Sequence, residues 1–201
     1  MSHANCANCG AAIERRNTAS RLVSCAHCET TQMFVDEAFR NAGEKGVMQD
    51  VPTLFQLGQS TRVEGRVVTP IGHARFSYGR GWWDEFWCEA DSDMVWISVD
   101  EGDVAIERPL PDHHKPRSFH PTLGASVEIA QTRYTVTEAE TAECVAVRGE
   151  FSEVLHVGER HLYFDLTSER GGIVTLEQWE GHSDWYEGYW IDPWLIGNRK
   201  A

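Results

Sequence analysis

From about Val51 onward, apolar and aromatic residues alternate with polar ones in short runs broken by Gly, Pro and Asp-containing turns. Alternation with a period of two turns one face of a strand to a core and the other to water. The runs are Thr61 to Val68, His73 to Tyr78, Trp82 to Ala90, Met94 to Val99, Ser126 to Ala130, Tyr134 to Thr137, Ala142 to Arg148, His161 to Thr167 and Ile173 to Gln178. Runs at this spacing predict an all-β body. Just upstream, Asp36 is placed to cap a short helix through Glu37, Ala38, Phe39, Arg40 and Ala42, which Gly43 and Gly46 would end. Residues 36–50 are therefore expected to be a short helical or loop connector.

Residues 109–121 hold Pro109, Pro111, Pro116 and Pro121 together with His113, His114 and His120. Proline lacks the ladder donor, so this stretch reads as a linker. The sequence on either side repeats weakly. Leu57-Gly58 opens one half and Leu123-Gly124 the other, each followed by a Val-Glu pair, and turns ending in Glu101-Gly102 and Glu180-Gly181 lie near the close of each. The expected fold is mainly β: an N-terminal zinc ribbon over 1–35, then a duplicated small β-barrel or sandwich-like unit, with repeats at 51–108 and 122–201.

Four of six cysteines form Cys6-x2-Cys9 and Cys25-x2-Cys28, the double C-x2-C spacing of a zinc site. Tight turns can present two thiolates each to one ion, and Gly10 after Cys9 can take the positive φ such a turn needs. Four thiolates close the shell, so a single structural Zn2+ is expected, with no open position for a catalytic water. Cys88 and Cys144 stand apart and read as small core residues.

The 201 residues carry a formal charge of −13. The first 35 hold three arginines against two glutamates, a net +1, so the remainder carries −14. An acidic body argues against gripping nucleic-acid phosphates along the chain, and Arg15, Arg16 and Arg21 are a thin footprint for the ribbon to do so alone. No stretch has the roughly 18 apolar residues of a spanning helix, and the first residues lack a signal core, so a cytoplasmic address is expected.

The most unusual phrase is Tyr78-Gly-Arg80-Gly-Trp82-Trp83-Asp84-Glu85-Phe86-Trp87. Neighbouring Trp82 and Trp83 must point to opposite sides of a strand, and Arg80 is placed to stack on an aromatic ring or to pair with Asp84 or Glu85. Trp87 and Trp96 read as core. Tyr78, Arg80, Trp82, Trp83, Trp185 and Trp190 are the candidate interface or ligand residues. His161 and Asp165 share a strand face, which a surface ion pair would explain. No nucleophile elbow, phosphate loop, dinucleotide turn or His-Glu-x-x-His pair is present, so no catalytic residue is expected and the chain is read as a non-enzyme.

The Cys-x2-Cys-Gly head, the opening at Leu57-Gly58, Phe76-Ser-Tyr-Gly-Arg-Gly-Trp-Trp-Asp-Glu-Phe, Gly149-Glu-Phe, Gly158-Glu-Arg, Asp165-Leu and Gly188-Tyr-Trp-Ile-Asp resemble the bacterial proteins with the domain of unknown function numbered 4178. The resemblance implies a domain carried twice behind a zinc ribbon, and a role in an envelope-associated or stress system. It carries over no activity and no catalytic residue. Together with the residues, it leads to the expectation of an adaptor or scaffold that binds protein partners, in the cytoplasm and peripherally at the inner membrane. The alternative is a binding module for a small cation such as a polyamine, since carboxylates beside aromatic faces suit ammonium groups; a hydrolase-like enzyme ranks behind both.

Overall fold

A computed structural model describes residues 4–35, 38–43, 46, 48 and 51–197, and among these the chain is built of antiparallel strands. The head contains β1 (Ala4–Asn5), β2 (Ala12–Ile13), β3 (Leu22–Ser24), β4 (Thr31–Val35) and β5 (Ala38–Gly43). The body follows with β6 (Thr61–Val63), β7 (Arg66–Ser77), β8 (Trp82–Ala90), β9 (Asp93–Asp100), β10 (Asp103–Pro109), β11 (Ser126–Ile129), β12 (Thr132–Phe151), β13 (Arg160–Thr167), β14 (Gly172–Trp179) and β15 (His182–Ile191). A 3-10 turn, Pro193–Leu195, is the one helical element described. No helix among the described residues is long and apolar enough to cross a membrane.

The helix expected in the connector is a strand. Residues 38–43 form β5, paired with β4 at Phe39↔Phe34 and Arg40↔Met33, because the open edge of β4 offers ladder partners that outweigh local helix preference. Asp36 and Glu37 lie outside the described residues.

Eight strands close into a ring. β7 to β10 pair in sequence, as do β12 to β15, and the two halves join at β10–β15 and β7–β12. The second seam needs backbones at close range: a Cβ on Gly72 would run into the Glu150 carbonyl, and one on Gly149 into that of Ile71. The halves thus build one ring together, and they do so by repeating one scheme. Gly58 N donates to Pro70 O at 2.8 Å and Gly124 N to Val136 O at 2.9 Å. β7 shifts register between Pro70 and Gly72, and β12 between Val136 and Glu138. Each long strand is preceded by a short one, β6 or β11, joined by a turn of two positive-φ residues, Glu64-Gly65 or Ala130-Gln131.

Apolar side chains pack outside the ring as well as within it. One outer cluster gathers Phe55, Val68, Phe86, Ile97 and Ile106, and the other gathers Leu110, Ile129, Phe164, Leu176 and Trp185. The Pro-rich segment is no free linker: Pro109 ends β10 opposite Tyr186, Leu110 is buried, and Phe119 packs on Trp185. It straps the second outer cluster.

The ribbon joins the ring through β12, whose Glu150 and Phe151 pair with Val23 and Leu22. The buried Glu150 carboxylate accepts from Arg16 N (2.8 Å), Asn17 N (3.3 Å) and Ser20 Oγ (2.9 Å). Three donors fix the head to the seam at which the ring closes.

Candidate functional site: a metal ribbon and an acidic chamber

The four ribbon sulfurs converge. Cys6 and Cys28 Sγ lie 3.7 Å apart, Cys9 and Cys25 Sγ 3.8 Å, and all four fall within 4.8 Å of one another. A tetrahedron with metal–sulfur bonds of about 2.3 Å has edges of about 3.8 Å, so the set fits a zinc-sized ion. Each pair is turned alike: Gly10 N donates to Cys6 O, Glu29 N donates to Cys25 O, and Gly10 and Glu29 both have positive φ. Two of the head's arginines are engaged within the protein. Arg15 donates to the Thr18 and Ser20 carbonyls and lies over Phe34, while Arg16 reaches Glu89.

The ring encloses a cavity of about 300 Å³, which runs on into a narrower pocket of about 30 Å³. All eight strands contribute to it, from Phe76 on β7 through Glu85, Ser98, Glu107, Glu138, Asp165 and Glu177 to Tyr186 and Trp190 on β15. Eight carboxyl groups line the larger space and no Lys, Arg or His does. Asp100, Glu101, Asp103 and Trp190 stand at the mouth, where the β9–β10 turn ends, and Trp83 and Tyr163 form part of the wall. The narrower pocket is capped by Glu153 and Leu155 of the segment between β12 and β13.

The chamber's acids bond to neutral donors. Trp83 Nε1 donates to Glu85 Oε1 (2.7 Å), Tyr163 Oη to Glu138 Oε1 (2.7 Å), and Ser98 Oγ to Glu107 Oε2 (3.4 Å). Thr175 Oγ1 lies 2.8 Å from Glu107 Oε1 and 3.0 Å from Asp165 Oδ1. Gly188 leaves the room that Glu107 occupies, for a Cβ there would meet Glu107 Cγ and the Ile106 carbonyl. Withdrawal from bulk water raises every one of the deeper acids. Burial carries Glu85 up to about 8, only partly countered by the Trp83 bond and reinforced by Glu107. Burial and then the Glu107 charge carry Asp165 to about 7, burial carries Glu153 to about 7, and Glu107 and Glu177 move upward for the same reason.

His161 stands beside this cluster and is 4% exposed. Its Nε2 approaches Glu177 Oε1 at 3.6 Å, too far for a hydrogen bond, and has no other hydrogen-bond partner. Burial lowers its pKa to about 4, so the ring is neutral. The surface pair expected with Asp165 is therefore replaced by a buried histidine next to Glu177, because residues four apart on a strand are about 13 Å apart whereas the pairing of β13 with β14 makes His161 and Glu177 cross-strand neighbours.

The candidate aromatics do not share one surface. Trp83 is buried against Phe76, Tyr78 and Tyr163; Trp185 is buried in an outer cluster; Trp82 and Trp190 are each half exposed. Arg80 lies over Tyr78 and pairs with Glu140, not with Asp84 or Glu85. Asp84 is taken by His73 Nε2 (2.9 Å) and by Arg75 Nε (2.7 Å) and Nη2 (3.0 Å) on the ring's outer side. Burial alone would raise this carboxyl, but those bonds hold it below its usual value. Trp87 and Trp96 are buried and pack together, as are Cys88 and Cys144 in their clusters. The His113 and His114 rings lie 4.1 Å apart on the strap, tilted by 56°, and among the described residues the four cysteines are the one group of side chains placed to hold a metal.

Glu85, Glu107, Glu138, Thr175 and Glu177 were not singled out from the sequence. Their signal is alternation of acids with aromatics on one strand face, as in Trp83-x-Glu85-x-Trp87 and Thr175-x-Glu177-x-Trp179.

These features define a class of protein: a closed β ring with an acidic interior, carrying at its seam a four-cysteine cluster that could hold a metal ion. The chain belongs to the family described as Domain of unknown function (DUF4178), which matches residues 56–193 and so spans both halves of the ring. No curated protein and no solved structure matches the chain.

Proposed function

We propose that the ring is a receptor for a small organic polycation of the linear polyamine class, and that the ribbon is a structural zinc module. The observation that carries this reading is the chamber lined by eight carboxyl groups and no base, an arrangement with a large field for cations. Three further features support it. Trp83, Tyr163 and Trp190 offer aromatic surface on which an ammonium group or its methylene stem can lie. Among the described residues the cysteines are the one group of side chains placed to hold a metal ion, which favours an organic cation over a metal for the chamber acids. Neutral His161 stands beside Glu177 and so offers no positive charge to offset the chamber acids. In this reading the chain binds its ligand without transforming it.

Calorimetry with spermidine at physiological salt tests the reading. Saturable binding that weakens at least tenfold in Glu107→Gln is expected. Heat that vanishes on adding salt, or binding indifferent to Glu107→Gln, overturns it.

A second reading, an adaptor for protein partners at the cytosolic face of a bacterial membrane, is favoured by Trp194, Leu195, Trp190 and Trp82, which are each about half exposed or more. Affinity purification at endogenous expression tests it, and recovery of no stoichiometric partner counts against it.

A further inference from the structure

We infer that the empty ring holds a proton on the Glu107–Thr175–Asp165 bridge and releases it when a cation enters, so that uptake is an exchange of cation for proton. This rests on the reading of the ring as a cation receptor, and adds to it how the ligand-free site lowers its negative charge and what the ligand displaces.

The argument starts from a count of hydrogens. Thr175 Oγ1 lies within hydrogen-bond distance of two carboxyl oxygens, Glu107 Oε1 and Asp165 Oδ1, yet a hydroxyl has one hydrogen to give. Were both acids ionised, a hydroxyl lone pair would face a carboxylate oxygen at 3.0 Å. A proton on one acid resolves this, because that acid then donates to Thr175 Oγ1 while the hydroxyl donates to the other. Glu107 is the acceptor, since it also receives Ser98 Oγ. Asp165 carries the proton.

No neighbouring base can take the proton's place. Glu85 on β8, Asp100 on β9, Glu138 on β12, Tyr163 on β13, Glu177 on β14, Tyr186 on β15 and Glu153 from the capping segment face the same space, and β7 contributes uncharged Phe76. The nearest imidazole, His161, is held neutral beside Glu177. Burial and the surrounding acids strengthen the hold of Asp165 on its proton. An ammonium group seated between Glu107 and Asp165 brings several donors where Thr175 has one, and satisfies both anions. The balance is simple: the Asp165 carboxylic acid and R–NH3+ become an Asp165 carboxylate paired with R–NH3+, and H+ leaves to buffer through the mouth at Asp100 and Asp103. No bond within the ligand changes.

Two measurements on the full wild-type chain decide the matter. Titration with spermidine at pH 6.5 in two buffers of different ionisation enthalpy should give enthalpies that differ by the release of about one proton, falling toward none at pH 9, where the bridge has already ionised. Infrared spectroscopy of the ligand-free chain at pH 6.5 should show a protonated carboxyl carbonyl band that loses intensity on adding spermidine and declines further by pH 9. Binding heat that does not depend on the buffer, or absence of the band, overturns the exchange. No binding in either buffer overturns the receptor reading itself, while the infrared band still decides whether the empty ring stores a proton. Asp165→Asn should weaken the band and reduce the buffer-dependent proton release by about one, while the raised Glu85 and Glu177 stay unchanged in both proteins.

Discussion

Replacing Asp165 by asparagine keeps a hydrogen-bond donor toward Thr175 Oγ1, now an amide N–H, and removes a group that must ionise inside the ring. The native pKa is raised from 3.8 to about 7, so the folded chain holds a proton that the unfolded chain gives up near pH 4. The group's contribution is therefore greatest in acid and is lost as pH rises through about 7. Between pH 5 and pH 7 the gap is worth about two pH units, or ~3 kcal/mol at 1.36 kcal/mol per unit. Water entering through the mouth halves this to ~1.5 kcal/mol. For a chain of this length that corresponds to ~3–6 °C in Tm. Thermal melts followed by circular dichroism at pH 5 and pH 7.5 should show wild type losing that much more than Asp165→Asn, and the variant should be the more stable at the higher pH. Glu85, Glu153 and His161 are common to both proteins and cancel. Equal losses in the two proteins, or a variant destabilised at pH 7.5, would refute the placement of Asp165 in a water-poor acidic chamber.

Three other outcomes follow from the geometry. Metal analysis should return one zinc per chain; Cys25→Ser should abolish it and remove on the order of 10 kcal/mol of metal-linked folding energy from the ribbon, seen as proteolysis within residues 4–35 while the ring stays intact. Asp84→Ala removes the acceptor of two Arg75 hydrogen bonds in a buried pair and should cost about 3–5 kcal/mol, lowering Tm by more than ~6 °C, whereas spermidine binding to the folded fraction should be unchanged because the pair lies outside the ring. Gly188→Ala should push the Glu107 side chain off its bonds to Thr175 and Ser98, and calorimetry should register loss of binding at least as large as for Glu107→Gln.

The strands and the ribbon were legible because both are local. Two-residue cysteine spacing and period-two alternation need no knowledge of the rest of the chain: the cysteines converge and every expected run lies mainly on strand, but β10 and β15 are not among the runs, and those at 134–137 and 142–148 are parts of the one long strand β12. The connector strand was not legible, because residues 38–43 take their conformation from the edge of β4 and not from their own preferences. The chamber was hidden by a sound rule applied to the wrong topology. Polar positions of an alternating strand usually face water, a rule that would put Glu85, Glu107 and Glu177 outside, whereas ring closure turns that face inward and covers the opposite one with Phe86, Ile106 and Leu176. Only the pairing of β7 with β12, across more than 70 residues of sequence, decides which side is inside.

That pairing also orders events in time. Contacts between residues as far apart as Gly72 and Gly149 form slowly, since a long loop must be closed before any ladder bond is gained. During synthesis β7 emerges long before β12, and its outer edge, with the buried residues of β8 behind it, stays unpaired until residue 149 has left the ribosome. A chain stopped within the strap at 109–121 would keep two open strand edges, those of β7 and β10, and would meet them with its own copies. Soluble expression of the first half alone is thus not to be expected, and the second half is as much its folding partner as its repeat.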